Sequence, residues 1–447
     1  MARSFLGGTH PHDQKRLSER KEISALTNPP PHVVLPMSMH IGPPCVPTVQ
    51  VGDRVRIGDK VAEPSGLGAP IHASVAGTVT KIEERPHPSG SKVLSVVIEN
   101  DNSGETVPYA KPASLDDLTS EQMIEIIKNA GITGMGGASF PTHAKLSSAI
   151  GKVDTVVLNA AECEPYITSD HRMLVERCQE ILQGLRAVMK ILNLERAHIG
   201  IEANKGDAIR LLEAEFPDRS SGIELCVLRT RYPQGAEKQL IDAVLGRQVP
   251  PGGLPSDVNC VVINVSTVFA VYEALYLGKP ATERVVTLTG HGVTRPRNVV
   301  VPFGTPLRHL LDEADGMRDD CSLLISGGPM MGTPQFDLDA GTIKGTNCLL
   351  ALTTAERKKP APAHNPCIRC GRCVENCPMR LTPANVHMFA SRRDFRSAEA
   401  LNVMDCSQCG VCSYVCPAKI GLTQSMQTTK GELLRRQRLE QAGKGGA

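Results

Sequence analysis

The spacing of hydrophobic and polar positions changes period several times along this chain. The first 45 residues have little periodicity but contain Pro29-Pro30-Pro31 and Gly42-Pro43-Pro44, which predicts an extended arm wrapping another domain. From Val51 the pattern shortens. Runs such as Val51-Gly52-Asp53-Arg54-Val55 and Val75-Ala76-Gly77-Thr78-Val79 alternate around glycine turns and predict short β-strands. Thr119-Ser120-Glu121-Gln122 reads as a capping box opening a helix, with Met123, Ile126 and Ile127 on its apolar face and Gly131 at its stop. Beyond it, strands at 155–159, 198–202, 223–228 and 259–265 alternate with helices at 174–192, 208–216, 237–245 and 268–277. That alternation predicts a parallel sheet covered on both faces. A smaller unit follows, with strands at 284–290, 298–302 and 322–329 around a short helix near 307–313. Val386, Phe389, Phe395 and Leu401 then repeat at helical spacing, and 431–440 reads as a basic helical end.

Two of these units have familiar patterns. The alternating strands up to about Pro108 resemble the flattened β-barrel of lipoyl and biotinyl carriers. The carrier lysine is absent from the hairpin tip, which reads Glu63-Pro64-Ser65-Gly66-Leu67-Gly68-Ala69, so the module is expected to be structural. The unit near 281–352 has the strand and helix content of a β-grasp fold.

Composition narrows the function without naming it. The 447 residues leave room for about three domains. Lys plus Arg (49) nearly equals Asp plus Glu (47), and aromatics make up 3% with no Trp, so nucleic acid is not an expected partner. The longest apolar stretch, about 260–277, is interrupted by Asn264, Ser266, Thr267 and Glu273, which predicts no transmembrane segment. The N-terminus lacks the apolar core of a signal peptide. His10 and His12 read as a polar turn.

The cysteines are far more specific. Eight of the fifteen fall in two copies of one run, 39 residues apart: Cys367-x2-Cys370-x2-Cys373-x3-Cys377-Pro378 and Cys406-x2-Cys409-x2-Cys412-x3-Cys416-Pro417. This is the bacterial ferredoxin spacing and predicts two [4Fe-4S] clusters, the fourth cysteine of each run ligating the other run's cluster. One cluster is assigned Cys367, Cys370, Cys373 and Cys416; the other Cys406, Cys409, Cys412 and Cys377. A pair of zinc sites would also use C-x2-C, but gives no reason for a third cysteine at x2 followed by x3-Cys-Pro. Such clusters need a reducing compartment, which points to the cytoplasmic side. The other seven cysteines are scattered and read as free thiols.

A second constellation lies upstream. Gly134-Met135-Gly136-Gly137-Ala138-Ser139-Phe140-Pro141 puts a glycine loop before a helix expected to begin at Pro141, with Lys145 one turn in. It follows a helix and its glycine spacing is wrong for a Rossmann fingerprint. Leu158-Asn159 runs into Ala160-Ala161-Glu162-Cys163-Glu164, Tyr232-Pro233-Gln234-Gly235-Ala236-Glu237 opens a helix, and Asn264 ends a third strand. Polar strand ends beside a glycine loop suit a nucleotide, because α/β sheets bind ligands at the carboxyl ends of their strands.

These segments, in this order, resemble the flavin- and NADH-binding subunit of respiratory complex I. The resemblance implies that Gly134, Gly136, Lys145, Asn159, Glu162, Tyr232, Gly235 and Asn264 hold FMN, and that Phe140, Glu164 and Glu237 face NADH or NAD. Met135 stands where that family has an arginine, and Ala161 and Ala236 replace acidic residues, which is expected to lower flavin affinity. A flavin-free iron–sulfur relay is the alternative those departures raise.

The full layout, with Gly7-Gly8-Thr9-His10-Pro11 at its start, resembles the C subunit of the Rnf (Rsx) electron transport complex over about residues 5–425. Sodium-pumping NADH:quinone reductase has a similarly built subunit, but without the cysteine runs. The Rnf resemblance implies a multidomain α/β protein: an arm (1–45), a lipoyl-like β module (46–108), a Rossmann-like FMN/NADH domain (109–280), a β-grasp (SLBB-like) module (281–352), a helical double [4Fe-4S] ferredoxin domain (353–425) and a basic tail (426–447). It implies a peripheral subunit on the cytoplasmic face of the bacterial inner membrane. There it would exchange electrons with a ferredoxin-type carrier and work with membrane subunits that move ions. No general acid or base is expected, because the protein's part in flavin chemistry is positioning and electrostatics.

Overall fold

The computed structural model describes residues 3–112, 114–215, 222–357 and 365–444. Most of the expected linker at 353–365, the end of the helix expected to reach Phe216, and the last three residues lie outside the described residues.

The alternating strands form two packed antiparallel sheets. One orders His32–Pro36, Lys92–Asn100, Gly77–Pro86 and Arg54–Val55; the other orders Cys45–Pro47, Lys60–Pro64 and Ile71–His72. The module therefore draws in His32–Pro36 from the expected arm. That strand carries Val33, Val34 and Leu35, each 0% exposed, so its apolar run is satisfied only inside the barrel.

The central domain has a four-stranded, all-parallel sheet ordered Ile223–Leu228, Ala197–Glu202, Thr155–Ala160, Cys260–Asn264. The chain starts at Thr155–Ala160, builds outward to one side, then crosses to the other. This makes a topological switch point between Thr155–Ala160 and Cys260–Asn264, where Asn159 and Asn264 are paired in register. The capping box at Thr119 and Gln122 is present on the helix Ser120–Asn129. The helix expected at 174–192 is two helices, Ser169–Glu176 and Cys178–Leu192, broken at Arg177, and the first starts at the sheet's ligand-binding end. Pro141 is the N-cap of Thr142–Ala149, one residue before the position expected for it.

The β-grasp unit is a six-stranded sheet carrying the helix Leu307–Glu313, and its edge strand, Ile23–Ala25, comes from the arm. The cysteine region is helical, with Pro383–Ser391, Phe395–Glu399 and Leu422–Lys444 packed around Leu381, Val386, Ala398, Val403, Met426 and Leu433. The basic tail thus continues a helix that starts inside the cluster domain. Among the described residues no helix is long and apolar enough to cross a membrane.

Candidate flavin and iron–sulfur sites

The glycine loop closes on itself before it meets the sheet. Gly134 N–H donates to the Phe140 carbonyl (2.8 Å), and Thr133 pairs with Pro141 across the loop's base. Its far end rests on the switch point: a Cβ on Gly136 would lie 2.5 Å from Asn264 Nδ2, so only glycine allows this approach. Asn264 caps the helix Val265–Tyr272 by accepting from the backbone N–H of Ser266 and Thr267. Its Nδ2 donates to Asp170 Oδ2 (2.6 Å), while Asp170 N–H donates to Glu162 Oε1 (2.8 Å). Asn159 Nδ2 donates to the Gly235 carbonyl (2.8 Å), and Gly235 packs so tightly on the Ala161 carbonyl that a side chain has no room. Gly136, Asn159, Glu162, Gly235 and Asn264 are therefore brought together. Lys145 reaches the same strand end from below, donating to Glu237 Oε1 (2.8 Å) and the Val262 carbonyl (2.7 Å). Phe140, 37% exposed, sits at the loop's outer end.

The acidic turn is buried, not solvated. Burial raises the carboxyls of Glu162 and Glu164 to about 7. Glu162 Oε2 lies 3.6 Å from Lys15 Nζ and lacks a hydrogen-bond donor, and both amide atoms of buried Gln234 are likewise without partners. Lys15 Nζ donates to the carbonyls of Glu164 and Ile167. Lys205 lies in the same buried group, lowered to about 8, with Glu202 raised by burial. Glu164 lies 3.4 Å from Tyr232 Oη and accepts from Met330 N–H (3.2 Å), which belongs to the β-grasp unit.

Buried polar atoms without partners next to a glycine cradle fit a flavin nucleotide, whose ribityl and ring edges offer matching donors and acceptors. Sequence reasoning missed Asp170, Lys15, Lys205 and Arg284. Thr168-Ser169-Asp170 before a helical run was a readable helix start. Lys15 and Arg284 arrive from distant segments and had no local signal. Arg284, fully buried, donates from Nη1 to the carbonyls of Met135 (3.0 Å) and Lys344 (2.6 Å), and Met135 N–H donates to Thr267 Oγ1 (2.8 Å). The loop residue that replaces an arginine is thus held on both sides.

The two cysteine runs fold alike. Left-handed backbone recurs at Arg369 and Gln408, at Gly371 and Gly410, and at Arg380 and Lys419, each pair 39 residues apart. Burial raises the Cys373 thiol, and Cys367 and Cys416 lie near enough to raise it further. Cys412 is influenced by Cys406, Cys409 and Cys377. Cys377, Cys406, Cys409 and Cys412 line one cavity. Each fourth cysteine thus lies near cysteines of the other run, an arrangement that suits cubane iron–sulfur clusters. Cys367 and Cys370 are exposed, while Cys373, Cys409 and Cys412 are buried, Cys409 beside Tyr232. Tyr232 Oη donates to the Cys409 carbonyl (2.7 Å), and Gln239 Nε2 donates to the Pro378 carbonyl (3.3 Å).

A nucleotide-shaped switch point abutting one of two four-cysteine sites defines a flavin and iron–sulfur electron-transfer protein. Comparison with known proteins narrows this. Four family models match: "RnfC Barrel sandwich hybrid domain" at residues 3–103, "Nuo51 FMN-binding domain" at 127–273, "SLBB domain" at 285–334 and "4Fe-4S dicluster domain" at 366–420. The C subunit of the Na(+)-translocating ferredoxin:NAD(+) oxidoreductase complex of Acetobacterium woodii is 42% identical, over 97% of this chain and 98% of its own length. The C subunit of the proton-translocating ferredoxin:NAD(+) oxidoreductase complex of Clostridium ljungdahlii is 41% identical, over 97% and 94%. The C subunit of the ion-translocating oxidoreductase complex of Klebsiella pneumoniae is 40% identical over 96% of this chain, which spans 57% of that longer protein. The chain belongs to the RnfC family, the C subunits of Rnf-type ion-translocating oxidoreductase complexes.

Proposed function

We propose that this chain is the peripheral oxidoreductase subunit of a membrane-bound translocase. It couples electron transfer between NADH or NAD and ferredoxin-type carriers, through FMN and two [4Fe-4S] clusters, to ion translocation. The observation that carries this reading is the contact between the two sites: Tyr232, at the mouth of the switch point, donates to the backbone of Cys409. Gly134, Gly136, Lys145, Asn159, Glu162, Tyr232, Gly235 and Asn264 would hold FMN, and Phe140, Glu164 and Glu237 would face the nicotinamide. Bound FMN supplies the conversion between two-electron hydride chemistry and the single electrons a cluster accepts. The chain's own part is positional. The glycine loop and Asn264 fix the cradle, and the acidic turn excludes water.

The four cysteines Cys377, Cys406, Cys409 and Cys412 lie on the flavin side, and Cys367 and Cys370 on the exposed side. This favours a path from the flavin through the first set to the second, and from there to the partner. The matched relatives' names, those of ion-translocating complexes, support a place beside membrane subunits that carry the ion, and the need of such clusters for a reducing compartment supports the cytoplasmic face of the inner membrane.

An anaerobic NADH titration of reconstituted protein, following flavin absorbance and cluster EPR together, tests the reading. Flavin bleaching followed by reduced-cluster signals is expected. Clusters that reduce chemically but ignore NADH would leave a flavin-free relay.

A further inference from the structure

The motif Gly7-Gly8-Thr9 lies far from both sites in sequence, yet it runs between them. Gly8 N–H donates to the carbonyl of Asn376 (2.8 Å), the residue before Cys377. One residue on, Thr9 N–H donates to the Tyr232 carbonyl (2.8 Å) and Tyr232 N–H to the Thr9 carbonyl (2.9 Å). Two adjacent arm residues therefore join the backbone beside a cluster cysteine to the backbone of a flavin-site residue.

Both glycines have left-handed backbone, and both face a wall. A Cβ on Gly7 (φ +83°) would sit 2.8 Å from the Cys377 carbonyl oxygen. One on Gly8 (φ +77°) would sit 2.5 Å from the Tyr232 carbonyl oxygen and 2.8 Å from Phe5 Cζ. These neighbours are backbone and a packed ring, so they cannot yield as a flexible side chain would. The arm is pinned on either side of the motif. Arg231 lies over the Phe5 ring (5.5 Å) and donates to the Phe5 carbonyl, and Tyr166 N–H donates to the Asp13 carbonyl (2.7 Å).

We propose that Gly7–Thr9 is a positioning strap. It sets the separation between the flavin site and the Cys377/Cys406/Cys409/Cys412 site, and so sets the rate at which electrons pass between them. This rests on the functional reading above. Electron transfer falls steeply with distance, so a side chain that pushes the strap off either wall slows transfer while leaving both sites intact. None of these three residues supplies a ligand.

The test is rapid-mixing reduction by NADH of anaerobic, fully loaded Gly8→Ala protein. Flavin content, iron content and the EPR spectrum after chemical reduction should match wild type, and flavin bleaching should keep its rate. Cluster reduction should slow markedly, by up to about a hundredfold, the loss that a misplacement of about 1 Å can cause. Cluster reduction that still follows bleaching at the wild-type rate would overturn the strap. Wild-type protein whose flavin NADH does not bleach would instead overturn the functional reading. Should Gly8→Ala not assemble its clusters, Phe5→Leu removes the ring packed on Gly8 and leaves the backbone walls at Cys377 and Tyr232 as they are. It carries the same expectation at smaller amplitude, and an unchanged rate there overturns the strap equally.

Discussion

Replacing Arg284 by methionine tests how the flavin cradle is held. Arg284 comes from the β-grasp strand Glu283–Thr289, and its guanidinium is buried beneath the glycine loop. Burial lowers its pKa to about 10, and the nearby Asp170 carboxylate acts in the opposite direction. Its Nη1 protons go to the Met135 and Lys344 carbonyls. Methionine fills much of the volume but leaves both carbonyls without that donor, at about 1–3 kcal/mol each. Relief from burying a charge offsets part of that loss, so a net destabilisation of about 1–4 kcal/mol is expected. For binding, the loop would have to be ordered by the ligand. Fixing one residue costs about 1–2 kcal/mol, so the flavin Kd should rise roughly 5- to 30-fold. Fluorescence-quenching titrations with FMN and with riboflavin separate the causes, because the two differ by a phosphate. If the guanidinium holds the loop, both affinities fall alike. Unchanged affinities, or a loss confined to FMN, would refute the reasoning. The second result would show a guanidinium that pairs with phosphate.

Two further outcomes are expected. Cys416→Ser should damage the cluster held by Cys367, Cys370 and Cys373, because its side chain crosses to that run; EPR that loses only the other signal would show the crossover to be wrong. His72 is buried between the barrel and the helix Ser120–Asn129, and burial lowers its pKa from 6.5 to about 3. Below pH 6.5 the unfolded chain takes up a proton that the folded chain refuses, so this group makes stability fall as pH falls. The loss is about 1.4 kcal/mol between pH 7.5 and 5.5. Glu162 and Glu164 are raised and act in the opposite sense, so the informative quantity is the difference from His72→Gln, measured by anaerobic urea unfolding at both pH values. Equal pH slopes in the two proteins would rule out a buried neutral imidazole.

Much of this architecture was legible because its signals are local. The cysteine runs share one spacing and therefore one backbone path, down to the left-handed residues at Gly371 and Gly410. Thr119 and Gln122 form their capping box, and alternating periods separated sheet from barrel. Local signals failed where a segment is satisfied elsewhere. His32–Pro36 looked like arm because its partner strand, Lys92–Asn100, lies some 60 residues on. The break at Arg177 was hidden within a continuous apolar stripe. At the flavin cradle, the glycines and asparagines were visible as motif residues, whereas Asp170, Lys15 and Arg284 emerge only once the chain is folded.

Three buried cations have a common logic. Lys15, Arg284 and Lys344 are each almost fully buried, each enters from outside the flavin domain, and each ends on backbone carbonyls. Lys344 joins the Pro70 carbonyl of the barrel to the Gly131 carbonyl (2.6 Å) that precedes the glycine loop. Burying a charge this way is costly, and a hydrophobic residue of similar size could pack there more cheaply. What the cation adds is direction: three or more protons at fixed angles, closing irregular backbone that no helix or strand would satisfy. The glycine loop and the acidic turn are such backbone. They can stay irregular, and so shaped for a ligand, because the neighbouring modules complete their hydrogen bonding. The flavin cradle is therefore a product of the arm, barrel and β-grasp unit together, and the cysteine domain docks on the arm, the flavin domain and the β-grasp unit.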